Sequence, residues 1–145
     1  METPPSGPLE CVILVGLPGA GKSTLYRARY PHYEHISKDN FPAHARNKQA
    51  RQDAALRVAL GAGRSVVVDN TNVTPADRAA IITIAHEFGA RVVGYYVEAS
   101  VREAIARNEA RGGRAKVPKV AIFTAAKRLV PPLKDEGFDE LHVVQ

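Results

Sequence analysis

From Glu10 onward the chain alternates short runs of apolar, mostly β-branched residues with longer stretches whose apolar positions recur at helical spacing. That is the pattern of an α/β domain built on a mainly parallel sheet. Residues 11–15 predict a first strand, residues 22–30 a helix stopped by Pro31, and residues 35–37 a short second strand. Residues 42–62 carry Ala, Leu, Arg and Gln at helical spacing and end in Gly61-Ala62-Gly63, which predicts one long helix. The almost wholly apolar run 65–68 predicts a strand covered on both faces, at the centre of the sheet. Thr74-Pro75-Ala76-Asp77 predicts a capped helix running to Gly89, residues 91–97 a fourth strand, and Ser100 with Glu103 a capping box opening a helix to about Arg111. A Pro118-initiated helix to about Leu129 and a strand over 141–144 complete the order.

These elements add up to a three-layer α/β fold, about five parallel strands with helices on both faces. The length of 145 residues fits one domain, 10–145, preceded by a polar, Pro-rich segment 1–9 expected to be disordered. Composition changes the picture little: 45% hydrophobic and 24% charged residues exclude a disordered or fibrous chain. A net charge of +5 favours anionic partners such as phosphates and nucleic acids. The single cysteine, Cys11, lies in an apolar run and reads as a buried hydrophobe. With no second cysteine, no signal-like start and no apolar stretch near about 18 residues, the expectation is a cytoplasmic protein that does not span a membrane. The oligomeric state is left open.

Chemistry enters at Gly16-Leu17-Pro18-Gly19-Ala20-Gly21-Lys22-Ser23-Thr24, which fits G-x-x-x-x-G-K-[ST] between a predicted strand and a predicted helix. Glycines allow such a loop to aim backbone N–H groups at phosphate oxygens, and the helix beginning at Lys22 adds its positive end. Lys22 is expected on the β- and γ-phosphates of ATP and the Ser23 hydroxyl on a bridging Mg²⁺. A phosphotransferase also needs an acceptor-side base, a metal-side acid and cations for the moving phosphoryl group. Asp39, in Ser37-Lys38-Asp39-Asn40 after the second strand, is placed to hold a hydroxyl and take its proton; the local pattern alone favours an Asp capping a helix from about Phe41. Asp69, in Asp69-Asn70-Thr71-Asn72 after the third strand, has the position of a Walker-B-type acid acting on Mg²⁺, with Thr71 and Asn72 as hydrogen-bonding partners of phosphate or acceptor. An Asn-rich turn chosen for its backbone angles is the other reading of that segment. Arg107 and Arg111 share one helix face ahead of Gly112-Gly113-Arg114-Ala115-Lys116, the makeup of an Arg-bearing lid, or of a solvated basic helix end.

Taken together, these segments resemble the P-loop 5′-hydroxyl polynucleotide kinases, both phage-type and those fused to a phosphatase in animals. The similarity runs from Cys11 to Val144 and includes Gly16–Thr24, Ser37-Lys38-Asp39, Asp69-Asn70-Thr71-Asn72, Arg107-Asn108 with Arg111-Gly112, Val117-Pro118 and Glu136-Gly137-Phe138. The resemblance implies a P-loop kinase fold, ATP and Mg²⁺ as cofactors, and a nucleic acid 5′-OH end as acceptor. It implies Asp39 as general base and Lys22 and Arg111 as catalytic cations. Gly16, Pro18, Gly19, Ala20, Gly21, Lys22, Ser23, Thr24, Arg107 and Arg111 would bind the nucleoside triphosphate, Ser23 and Asp69 the metal, and Lys38, Asp39, Thr71 and Asn72 the acceptor. Two positions depart from the family: Lys38 stands where an arginine is common, and Pro42 where phage-type members carry an arginine on the acceptor's neighbouring phosphate. A kinase of a small-molecule hydroxyl and a nucleotide-dependent switch are the rival functions.

Overall fold

The computed structural model describes residues 8–113 and 116–145. The segment expected to be disordered therefore lies mostly outside the described residues. Leu9, its last residue, already packs on the core and accepts a hydrogen bond from the Arg91 N–H. Arg114 and Ala115 of the expected lid also lie outside the described residues.

Five parallel strands, β1 Glu10–Val15, β2 Glu34–Ile36, β3 Val66–Asp69, β4 Arg91–Val97 and β5 Glu140–Val144, form one sheet in the order β2-β3-β1-β4-β5. The helices are α1 Lys22–Arg29, α2 Lys48–Gly61, α3 Pro75–Glu87, α4 Val101–Glu109 and α5 Lys119–Arg128. Strand alternation splits the core in two. Cys11, Ile13 and Val15 face Leu56 and Leu60 of α2 and Ile81 and Ala85 of α3, whereas Val12 and Leu14 face Leu25 of α1, Ala104 of α4 and Ile122 of α5. The result is the three-layer P-loop kinase arrangement, with a sheet that is apolar on both sides. Cys11 is fully buried as expected, and burial pushes its thiol up to about 12.

The expected capping box is present, with Ser100 Oγ accepting from the Glu103 N–H at 3.0 Å, and the expected cap at Thr74 proves to be a second box, with Thr74 Oγ1 accepting from the Asp77 N–H at 3.1 Å. Two expectations need correction. The long helix predicted over 42–62 begins only at Lys48. Before it, Lys38–Asn40 closes a 3₁₀ turn, the Ala45 N–H donates to the Pro42 carbonyl, and Asn47 takes a left-handed conformation at φ 55° that ends the loop. The centre of the sheet is β1, not β3, which sits between β2 and β1. Val66, Val67 and Val68 are fully covered all the same, so an unbroken apolar run reports cover on both faces and not a central position.

A further tie holds the C-terminal part of the chain to the site. Arg78 of α3, fully buried, donates through Nε and Nη2 to the two oxygens of Glu136 at 2.8 and 3.0 Å, and through Nη1 to the Asn72 carbonyl at 2.9 Å. Burial alone would raise the Glu136 carboxyl, but the Arg78 hydrogen bonds and charge outweigh it and hold it below its ordinary value.

Candidate active site

The phosphate loop connects β1 to α1, at the end of the sheet where parallel α/β proteins gather their ligand-binding loops. Gly19 has φ +84°, and a Cβ there would meet the Ala104 carbonyl of α4 at 2.5 Å, so only glycine allows both the turn and the close approach of α4. Arg107, one turn farther along α4, donates from Nη1 to the Ala20 carbonyl at 2.9 Å. The Gly16 N–H donates to the Thr71 carbonyl at 3.0 Å, tying the loop to the chain after β3. Gly16 and Ala20 are thus buried scaffold beneath the loop surface.

Lys22 is only 8% exposed, and its ammonium donates to the carbonyls of Gly16 at 3.1 Å and Leu17 at 2.8 Å. Burial lowers its pKa to about 8; Asp69 and Asp39 oppose that fall and Arg111 adds to it. Two carboxylates and a second cation therefore act on one ammonium. Ser23 Oγ donates to Asp69 Oδ2 at 2.9 Å, and His35 Nε2 meets the same oxygen at 2.9 Å. Burial alone would raise the Asp69 carboxyl, but the His35 and Ser23 contacts and the Lys22 charge outweigh it and hold it below its ordinary value.

The turn bearing Asp39 is fixed by its backbone. Asn70 Oδ1 accepts from the Lys38 N–H at 2.9 Å and from Ser37 Oγ at 3.4 Å, while Asn70 Nδ2 donates to Gln52 Oε1 of α2. Ser37 Oγ also accepts from the Asp39 N–H at 3.1 Å. No helix starts at Phe41, so the helix-cap reading of Asp39 is replaced: Ser37 caps the 3₁₀ turn, and the Asp39 carboxylate is exposed at its apex. In the segment after β3 the two readings divide by residue. Asn72 adopts φ 47°, is 4% exposed and donates from Nδ2 to the Leu14 carbonyl at 2.7 Å, which is a turn residue's work; Asp69 faces Ser23 and His35.

A cleft of about 750 Å³ brings together Pro18, Lys22, Ser23, Lys38, Asp39, Asp69, Thr71, Asn72 and Arg111. A second cavity of about 360 Å³ is lined by Gly19, Gly21, Thr24, Arg107 and Arg111, and the two share Ser23, Arg27 and Arg111. Sequence reasoning missed four of the contributors: His35, Asn70, Gln52 and Arg27. Only Arg27 carried a signal, since it lies four residues after Ser23 on the same face of α1. The expected lid is anchored where it is described: Asn108, fully buried, donates from Nδ2 to the Val117 carbonyl at 2.6 Å and accepts from the Val117 N–H at 2.9 Å.

The donor set suits a magnesium nucleotide. Mg²⁺ takes one or two protein oxygens and completes its shell with phosphates and water, and the Ser23 hydroxyl beside an ionised Asp69 offers such a pair. Among the described residues there is no cluster of three or more His, Cys, Asp or Glu for an all-protein metal cage. No described helix is long and apolar enough to cross a membrane.

Comparison with known proteins bears on the family and the fold. A family model described as an AAA domain matches residues 11–132. A bifunctional polynucleotide phosphatase/kinase of Schizosaccharomyces pombe is 32% identical over 140 residues, covering 93% of this chain and 33% of the relative. The chain thus spans about a third of the length of the curated relatives it matches. Among solved structures, a fungal RNA kinase superposes with a TM-score of 0.65 at 19% identity, over 94% of this chain and 76% of that one. A gluconokinase from Sinorhizobium meliloti superposes with a TM-score of 0.64 at 20% identity, over 94% and 83%.

Proposed function

The chain belongs to the AAA domain family, and from that premise we propose that it is an ATP- and Mg²⁺-dependent phosphotransferase whose acceptor is the 5′-hydroxyl of a nucleic acid. The observation that carries the reading is that one cleft is lined by Lys22, Ser23 and Asp69 and also by the exposed carboxylate of Asp39. A switch or binding module needs the first three residues but has no use for a second acid facing the phosphate loop.

When bound, ATP would supply the phosphoryl group and Mg²⁺ would offset its charge. Lys22 would hold phosphate oxygens, a stronger partner for its buried ammonium than the two neutral carbonyls it now donates to. Arg111 lies near enough to disfavour the charge on Lys22, and like charges so placed are stabilised by an anion between them. Ser23 and Asp69 would hold the metal, with His35 Nε2 against Asp69 Oδ2 orienting the carboxylate. Asp39 orients the acceptor hydroxyl and takes its proton, which an exposed carboxylate then passes to water. Support for a nucleic acid acceptor comes from the polynucleotide phosphatase/kinase relative and from Lys38 and Arg27, which line the same cleft as Asp39.

The test is a competition in which labelled ATP is offered with a 5′-hydroxyl oligonucleotide, a nucleoside 3′-monophosphate, gluconate and simple sugars. Label on the oligonucleotide is the expected outcome; label on a sugar or gluconate alone would replace the acceptor.

A further inference from the structure

The buried face of α2 consists of Gln52, Leu56, Ala59 and Leu60, spaced as one helical stripe against the core. All but the first are apolar. Gln52 is 2% exposed, and an amide so placed costs free energy unless its polar atoms are bonded, whereas a leucine would lengthen the stripe at no such cost. Gln52 lines neither cavity of the active site, so it can reach a ligand only through another residue.

That residue is Asn70, the neighbour of Asp69 at the end of β3. The direction of each bond follows from one donor that cannot reverse. The Lys38 backbone N–H can only donate, so the Asn70 atom that meets it at 2.9 Å is Oδ1; Nδ2 is left to donate, and Gln52 presents Oε1 to it. Ser37 Oγ adds a longer bond to Asn70 Oδ1 at 3.4 Å and itself accepts from the Asp39 N–H at 3.1 Å. Asn40 Nδ2 ties the turn back to its own strand through the His35 carbonyl at 3.0 Å, whereas the Asn70 side chain ties it across to β3 and α2. The exposed Asp39 carboxylate at the apex goes where this turn goes.

The geometry points to Gln52 as a positioning residue that acts through Asn70 to hold the turn bearing Asp39 in register with the metal-side acid Asp69. The inference rests on the phosphotransferase reading above, in which Asp39 takes the proton of the acceptor, and it holds for any hydroxyl the cleft admits. Asp69 and Asn70 are consecutive, so the end of one strand turns Asp69 toward Ser23 and anchors the acceptor turn opposite it. Without the Gln52 oxygen, Asn70 keeps its hold on Lys38 but loses its own support from α2, and the turn loosens. A reacting group misplaced by about 1 Å costs on the order of a hundredfold in rate. The phosphate loop has separate ties, Arg107 to the Ala20 carbonyl and Lys22 to the carbonyls of Gly16 and Leu17, so ATP binding is not the step affected.

The test sets Gln52→Met, which keeps the length of the side chain and loses the acceptor oxygen, beside Gln52→Glu, which keeps an oxygen at the same reach. Transfer from labelled ATP to the acceptor that wild type uses best is measured with each substrate varied in turn, and Tm reports folding. The expected result for Gln52→Met is a kcat lowered about ten- to a hundredfold with the KM for ATP unchanged. Gln52→Glu retains most of the wild-type kcat. Placed on Asp39→Asn, Gln52→Met adds almost no further loss, because the base it would misplace is already gone. Should Gln52→Met fail to fold, Asn70→Ala, which cuts the same link without touching α2, takes its place in the kinetic split and in the Asp39→Asn comparison. Full kcat in the folded variant, an equal loss in Gln52→Met and Gln52→Glu, or the same factor lost again on Asp39→Asn would make Gln52 a core residue and nothing more, while transfer by wild type keeps the proposed function. A wild type that transfers phosphate to no acceptor would overturn both.

Discussion

Replacing Lys22 with methionine isolates the energetic state of the phosphate loop. The ammonium is 8% exposed, and its pKa falls from the ordinary 10.5 to about 8, mainly through burial. That fall corresponds to about 3 kcal/mol, at ~1.4 kcal/mol per tenfold change in proton affinity, by which folding is penalised while the group stays charged. Methionine has a similar reach and no charge, so it removes the penalty, but it leaves the Gly16 and Leu17 carbonyls without their donor at about 1 kcal/mol each. The ligand-free variant should therefore be more stable than wild type by about 1 kcal/mol at pH 7, raising Tm by about 2–4 °C, while transferring no phosphate. Below pH 8 both folded and unfolded wild type hold the proton, and the penalty is complete. Between about 8 and 10.5 the folded state releases it and the unfolded state keeps it, so wild-type stability rises relative to the variant and the gap closes. Urea unfolding of both proteins from pH 7 to 10, followed by circular dichroism, measures that gap. A variant less stable than wild type, or a gap that does not change with pH, would refute the view of this loop as a site strained in favour of an anion.

Arg111→Ala should lower kcat more than it raises the KM for ATP, because its contact strengthens as charge develops on the phosphoryl oxygens; steady-state kinetics showing only a KM change would make Arg111 a binding residue. Arg78→Ala should destabilise the protein by about 3 kcal/mol in urea unfolding, since it leaves Glu136 and the Asn72 carbonyl without their buried partner. Gly19→Ala should weaken ATP binding, read by calorimetry, because its Cβ would press on the Ala104 carbonyl at a backbone conformation that costs a side chain about 1–3 kcal/mol. Unchanged affinity would show that α4 moves aside freely.

What the sequence made legible was local. The phosphate loop, the cap at Thr74, the Ser100–Glu103 capping box and the span of β4 are set by residues within a few positions of one another, and each is found where the pattern puts it. The elements that escaped depend on partners far along the chain. His35 reaches Asp69 across 34 positions, Gln52 reaches Asn70 across 18, and Arg78 reaches Glu136 across 58. No periodicity announces such pairs. The start of α2 was misplaced for a related reason: residues 42–47 have helix-compatible composition, but the turn at Lys38–Asn40, fixed by Asn70 beyond another strand, sets the direction in which the chain leaves. Glu136-Gly137-Phe138 was recognisable only as a resemblance; its physical basis is that Glu136 completes the buried Arg78 pair and Phe138 fills the core beside it.

Whether Asp39 and the phosphate loop form one reaction site is decided by Asp39→Asn. The amide keeps the size of the side chain and leaves the Ser37 cap on the backbone untouched, but it cannot accept a proton. Phosphate transfer from labelled ATP to a 5′-hydroxyl oligonucleotide is measured for wild type and variant, with ATP affinity determined separately. The expected outcome is a loss of transfer of about 10²- to 10⁴-fold with ATP affinity unchanged. A variant that transfers phosphate at nearly the wild-type rate would remove Asp39 from the chemistry and with it the single reaction site.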